Sequence, residues 1–176
     1  LGDVYKRQIL GGGAIGIELA QAFKRLGSKV SIIEKNFVLH NQDEEFKASI
    51  WHLLKMEGVS IYEQSFPKKI AAIRGRISVH TNQHVITGTH LLIATGRIPS
   101  TTKLKLENAG ISTQNGLIKT NQHLRTDNKR IYAIGDVATT KRHTNMASAH
   151  ASVAIQNILL KVPTKINPYI CLLYTS

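Results

Sequence analysis

The residues Gly11-Gly12-Gly13-Ala14-Ile15-Gly16 follow a short apolar pair, Ile9-Leu10, and open a segment in which Ile15, Leu19, Phe23 and Leu26 recur at helical spacing. Three glycines in the order Gly-x-Gly-x-x-Gly, set between a strand and a helix, each have a mechanical use. Gly11 permits the tight turn, Gly13 lets the backbone approach a pyrophosphate, and Gly16 lets the helix pack close to the sheet. Gly12, Ala14 and Ile15 complete the turn. The free N–H groups that open the helix, with its dipole, favour negative charge there without a basic side chain. Gly27 stands just past the helix, where glycine is the usual terminator.

The next run, Val30-Ser31-Ile32-Ile33, reads as a second strand ending at Glu34. Glu34 lies about 20 residues beyond the turn, the separation at which a carboxylate accepts hydrogen bonds from adenosine ribose hydroxyls and repels a 2′-phosphate. Strand, turn, helix, second strand and terminal acid are all in register, so this is a dinucleotide-binding βαβ unit and NAD is its expected cofactor. Asp43, Glu44 and Glu45 then suit a first helical turn, and Phe46, Ile50, Leu53 and Leu54 lay an apolar stripe that ends near Gly58. Val59-Ser60-Ile61-Tyr62 reads as a third parallel strand. After Pro67, short alternating pieces at Ile70–Ile73, Arg76–His80 and Val85-Ile86, with a turn at Gly75, predict an antiparallel meander. Leu91-Leu92-Ile93-Ala94 is a fully apolar strand. The class is α/β: a Rossmann-like NAD-binding domain with a parallel sheet and an antiparallel meander. Farther on, Leu104–Gly110 reads as a short helical stretch, Leu117-Ile118-Lys119 and Ile131-Tyr132-Ala133-Ile134 as strands, and Ala147–Leu160 as a helix with Val153 and Ile158 inside.

A formal net charge of +12 raises nucleic acid as a partner. The lysines and arginines come singly or in pairs, without a basic run or interleaved aromatics, so a solvated basic surface is expected and nucleic acid is not. No apolar stretch nears the roughly 18 residues of a membrane span, and no signal-peptide pattern opens the chain, so a cytoplasmic protein without membrane contact is expected. One cysteine, Cys171, makes no disulfide within the chain and has no metal-ligand partner at recognisable spacing. The eight histidines show no catalytic pairing, and each is expected at the surface.

The ends look foreign. A strand buried on both faces reads as a continuous apolar run, yet Lys6, Arg7 and Gln8 precede Ile9. Asp3–Gln8 and Cys171–Ser176 resemble translated sequencing-adaptor read-through, and residues 1–8 and 171–176 are expected to be non-native flanks.

Several separate motifs occur in a fixed order: Gly-x-Gly-x-x-Gly-x-Glu, the acidic strand end, Ala94-Thr95-Gly96-Arg97-Ile98-Pro99, Leu106-Glu107-Asn108-Ala109-Gly110, and Tyr132-Ala133-Ile134-Gly135-Asp136-Val137. This order resembles the pyridine nucleotide-disulphide oxidoreductase family, in particular its dihydrolipoamide dehydrogenase and mercuric reductase-like branch. The resemblance implies an NAD-binding domain at 9–94 and the second half of an FAD-binding domain at 95–170. It implies that Gly11, Gly13 and Gly16 cradle the NAD pyrophosphate, that Glu34 holds the adenosine ribose, that Glu18 lies toward the nicotinamide and that Gly96 sits at the junction near NAD. It places Asp136 at the hydroxyls of the FAD ribityl chain, with Arg142, His143, Thr144 and Asn145 following along the flavin. Asn145 stands where the family often has histidine, and His150-Ala151 where it has Glu-Gly. The redox-active cysteine pair and first FAD motif are expected upstream, and a His-Glu acid/base pair downstream, in a longer homodimeric enzyme. Hydride transfer between NAD(H) and FAD is the implied activity. A flavin-dependent NADH oxidase or ferredoxin reductase without a redox disulfide stays open as an alternative, as does a basic nucleic-acid-binding module.

Overall fold

A computed structural model describes residues 5–167; Cys171, and with it the whole C-terminal flank, lies outside them. Two compact units divide the chain, Leu1–Gly96 and Arg97–Ser176.

The first unit opens with β1 (Lys6–Leu10), α1 (Ala14–Arg25), β2 (Lys29–Ile33), α2 (Glu44–Met56) and β3 (Ser60–Tyr62). A meander of β4 (Pro67–Ile73), β5 (Arg76–Thr81) and β6 (Val85–Gly88) follows, antiparallel throughout, before the chain returns as β7 (His90–Ile93). The main sheet has the order β3-β2-β1-β7 and is parallel at every pairing, with Ile9 opposite Ile32 and Leu92. Successive side chains of a strand face opposite sides, and the strand centres use both. Ile9 and Ile32 join Ile17, Ala20, Leu54 and Val59 in one core, while Leu10 and Ile33 meet Val79 and Ile86 of the meander in another. Each fully buried isoleucine or leucine contributes about 1.5–3 kcal/mol. Helices on one face and the meander on the other explain why Ile9-Leu10 and Ile32-Ile33 are apolar without alternation.

Lys6, Arg7 and Gln8 hold the strand positions expected before the glycine turn: β1 starts at Lys6 and pairs with both neighbours from Lys6 and Arg7 onward. Gln8 is therefore buried to 1% exposure, its Nε2 donating to the Ile77 carbonyl at 2.9 Å and its Oε1 without a partner. On α1, Ile15 and Leu26 are 50% and 80% exposed, and the buried side is Gly16, Ile17 and Ala20 with Phe23 packed beside it. Small residues carry the close approach to the sheet, and a count of large apolar side chains passes over them. On α2, capped by Asp43 through the Glu45 N–H, Leu54 is buried and Ile50 packs on the core, but Phe46 and Leu53 face outward.

In the second unit, 3-10 turns at Thr102–Leu104 and Leu106–Ala109 replace a single helical stretch, because Lys105 between them takes a left-handed φ of +48°. A two-residue pairing of β8 (Thr113–Gln114) with β9 (Leu117–Ile118) follows. The expected strand at 131–134 reduces to one bridge, Arg125 with Tyr132. Its backbone bonds go instead to the loop before it, Ala133 N–H to Leu124 O and Thr126 N–H to Ile131 O. After a 3-10 turn at Gly135–Val137, α3 (Thr144–Ile155) begins three residues earlier than expected and runs into a π-helical turn, Gln156–Leu160. Val153 is buried, but Ile158 is exposed. Ile111, Ile118 and Ala133 form this unit's small core.

Candidate functional site

Every residue of the glycine turn sits at the carboxyl end of β1, where a doubly covered parallel sheet opens its ligand crevice. The three glycines are there for three measurable reasons. Gly11 has φ +107°, and a Cβ on it would stand 2.3 Å from the Ala94 carbonyl oxygen just past β7. A Cβ on Gly16 would stand 2.0 Å from the Gly11 carbonyl oxygen, so the helix touches the turn backbone directly. Around Gly13 there is open space: nothing lies within 4 Å of a Cβ built there. Gly13 is also the N-cap of α1, with no side chain capping it, so the first N–H groups of the helix are left for a ligand. Ala14 and Ile15 are exposed on that first turn, and Glu18 is exposed one turn further on.

Glu34 is 8% exposed and fastened to the turn. Its Oε2 accepts the Gly12 N–H at 2.7 Å and its Oε1 accepts the Asn36 N–H at 2.9 Å. A Cβ on Gly12 would meet the Glu34 and Val38 side chains, which shows how tightly this carboxylate is packed against the backbone. An ionised carboxylate offers about four acceptor positions, so two remain for ribose hydroxyls. Lys35, the next residue, is exposed. A cavity of about 120 Å³ opens among Leu10, Gly11, Ile33, Glu34, Lys35, Pro67 and Thr95. A larger groove of about 310 Å³ runs along the start of α2 between Phe37, Glu44, Lys47 and Trp51, but no glycine turn faces it and the helix start beside it is acidic and already capped by Asp43. The smaller cavity joins Gly11 to Glu34 at the strand ends, and with the uncapped start of α1 next in the chain these residues fit NAD. Gly96, φ +114°, ends the unit.

In the second unit, Asp136 follows Gly135, whose φ is +71°. Arg97 Nη1 approaches Asp136 Oδ2 at 3.4 Å, and Arg142 Nη1 donates to the Arg97 carbonyl, so Arg97 links the Gly-Asp turn to the segment before α3. Arg142 Nε is buried without a partner. His143 is the N-cap of α3 and caps it with no side-chain bond, and Thr144 and Asn145 are exposed in its first turn. A half-exposed carboxylate, an orphaned guanidinium N–H and an uncapped helix start suit the polyhydroxylated chain and phosphates of FAD.

Two further residues of this region come into play only in the folded chain. Arg97 lies within a quoted motif, and its role shows only once Asp136 comes beside it. His150 is 4% exposed, contrary to the expected surface position, and its Nδ1 accepts the Gly135 N–H at 3.2 Å. Burial holds its pKa below the ordinary imidazole value. Its place after Met146 and before Val153 and Ala154, which are all buried, was the available signal.

The family profile described as pyridine nucleotide-disulphide oxidoreductase matches residues 5–156. Mercuric reductase of Streptomyces lividans is 33% identical over 156 residues, covering 86% of this chain and 33% of that protein. Dihydrolipoyl dehydrogenase of Acholeplasma laidlawii is 32% identical over 160 residues, covering 90% of this chain and 47% of that protein. The solved structure of the HOCl-induced flavoprotein disulfide reductase RclA from Escherichia coli superposes with a TM-score of 0.85 at 30% identity, over 94% of this chain and 39% of that one. The chain thus spans a third to a half of the length of these relatives. By the profile that covers its glycine turn, its acidic strand end and its Gly-Asp turn, the chain belongs to the pyridine nucleotide-disulphide oxidoreductase family.

Proposed function

We propose that the chain is the NAD-binding domain, residues 9–94, and part of the FAD-binding domain, residues 95–170, of an FAD-dependent pyridine nucleotide oxidoreductase that transfers hydride between NAD(H) and FAD. The observation that carries this reading is the open space at Gly13, bounded by glycines that admit no side chain and by the buried Glu34. Gly11, Gly12, Gly13, Ala14, Ile15 and Gly16 form the pyrophosphate site: the N–H groups that open α1 bind the phosphates, while Gly11 and Gly12, whose own N–H groups go to Ile33 and Glu34, shape the turn, and Glu34 receives the ribose hydroxyls. Glu18 extends toward the nicotinamide end, and Gly96 closes the domain. Asp136 accepts from hydroxyls of the flavin chain, and Arg142, His143, Thr144 and Asn145 bind along it. The nicotinamide and the flavin supply the hydride chemistry when bound. The chain's own residues bind, orient and exclude water, and no catalytic acid or base is assigned among them. Membership of a homodimer, a cytoplasmic location and the absence of nucleic-acid binding belong to the same proposal. Among the described residues no helix is long and apolar enough to cross a membrane.

The test is cofactor choice. Calorimetric titration of the chain is expected to show tighter NADH than NADPH binding. Glu34→Gln should weaken NADH by about tenfold through loss of charge-assisted bonds, and Glu34→Arg should narrow or reverse the preference. Equal affinities in the unsubstituted chain would remove Glu34 from the ribose and overturn the assignment.

A further inference from the structure

The Gly-Asp turn is held from inside by a side chain. Gly135 lies in the left-handed region, and a Cβ there would stand 3.3 Å from the Ala147 Cβ. Ala147 and His150 are three residues apart on α3, so they present to the same side. Ala147 bounds the size of the residue at 135, and His150 accepts that residue's N–H at 3.2 Å in a buried setting. A buried backbone N–H left without an acceptor is costly, so the turn keeps this shape only while His150 offers a lone pair. Asp136 is the next residue, and Arg97 Nη1 stands 3.4 Å from its carboxylate.

We propose that His150 is a positioning residue for Asp136: its Nδ1 takes the Gly135 N–H and thereby sets how the Asp136 carboxylate is presented to the flavin. The proposal rests on the flavin reading of Asp136. It requires the neutral ring with its proton on Nε2, since a protonated ring would set an N–H at Nδ1 against the Gly135 N–H. Around His150 the titratable groups are few. The Gly135–Val137 turn contributes Asp136, the Gln156–Leu160 turn contributes none, and α3 has none besides His150 itself. His143 stands at the N-cap of α3, and Arg97 reaches the turn through Asp136.

The experiment uses the isotopically labelled chain and two variants. His150→Phe keeps a ring and loses the acceptor, whereas His150→Asn keeps an acceptor oxygen near the place of Nδ1 and does not titrate. Exchange of the Gly135 amide is expected to speed up by about tenfold or more in His150→Phe and to stay within about threefold of normal in His150→Asn. Lowering the pH, after correction for intrinsic exchange, should loosen Gly135 in the unsubstituted chain and not in His150→Asn. Equal loosening in both variants, or none in either, overturns the proposal, and if His150→Phe does not fold, the pH comparison still decides it. Titration with FAD, followed at the Asp136 amide, is expected to show about tenfold weaker binding in His150→Phe and recovery in His150→Asn. A loosened Gly135 with unchanged FAD affinity overturns the positioning role, while weakened binding in Asp136→Asn leaves the flavin reading intact. An Asp136 amide that ignores FAD in the unsubstituted chain overturns the flavin reading and the proposal together.

Discussion

Single glycines of the turn are separable by experiment because each meets something different. Gly16→Ala gains about 1 kcal/mol of helix propensity, but its Cβ would run into the Gly11 carbonyl oxygen 2.0 Å away. Overpacking of backbone that cannot yield costs about 3 kcal/mol, so the net effect is a loss of stability, read as a lower urea midpoint. Gly13→Ala meets nothing, and Gly13 has an ordinary φ of −77°. Its cost to stability is expected to stay within about 1 kcal/mol, while NADH affinity falls by about tenfold or more as the methyl group takes the place of the pyrophosphate. A Gly13→Ala chain that binds NADH normally would move the phosphate away from this turn. Gln8 makes the opposite case, a polar residue where the sheet needs none. Its Oε1 is buried and unpaired, so Gln8→Met, similar in volume, is expected to stabilise the chain by about 1 kcal/mol in urea unfolding. A lower midpoint would mean that the bond from Gln8 Nε2 to the Ile77 carbonyl outweighs the unpaired oxygen.

Among the elements, α1 and α2 show how a correct helix can be assigned with the wrong face. Both were legible from caps and spacing, with Gly27 (φ +87°) ending α1 and Asp43 starting α2. On α1 the close approach at Gly16 was legible too, but the burial of Ile17 and Ala20 was not, because Ile17 lies off the apolar spacing and Ala20 contributes closeness rather than area. The 131–134 segment looked like a strand by composition, but strand identity depends on a neighbouring backbone, and here the nearest partner is its own preceding loop. On α3, the burial of His150 carries a consequence for acid stability. Its pKa in the folded chain lies below the ordinary value of 6.5 because burial disfavours the charged ring. The unfolded chain therefore takes up this proton first as pH falls, so the His150 contribution is complete above about pH 6.5 and is lost as pH falls through the lower folded value. Urea unfolding at a series of pH values is expected to show stability falling below that point, with a shallower fall in His150→Asn. An unchanged slope in that variant would place the acid sensitivity elsewhere.

For the molecule as a whole, the proposed flavin contacts from Asp136 to Asn145 come from one short region of a chain that spans a third to a half of its relatives. The purified chain is accordingly expected to carry no stoichiometric flavin, and absorbance at the flavin bands after purification checks this; a yellow protein with one flavin per chain would show that these residues suffice. The sequence alone determined the βαβ unit, the meander, the glycine turn and the acidic strand end, since each rests on local rules of periodicity, capping and backbone freedom that act within about 20 residues. Contacts between residues far apart in the chain were decided only by the tertiary structure. The bonds from Glu34 to the Gly12 and Asn36 N–H groups, the burial of Gln8 beneath Ile77, the approach of Arg97 to Asp136 and the hold of His150 on Gly135 are of this kind. A polar side chain carries no mark of whether it will be buried or paired; that depends on which backbone groups the fold leaves within hydrogen-bond reach once the cores on the two faces of the sheet have closed.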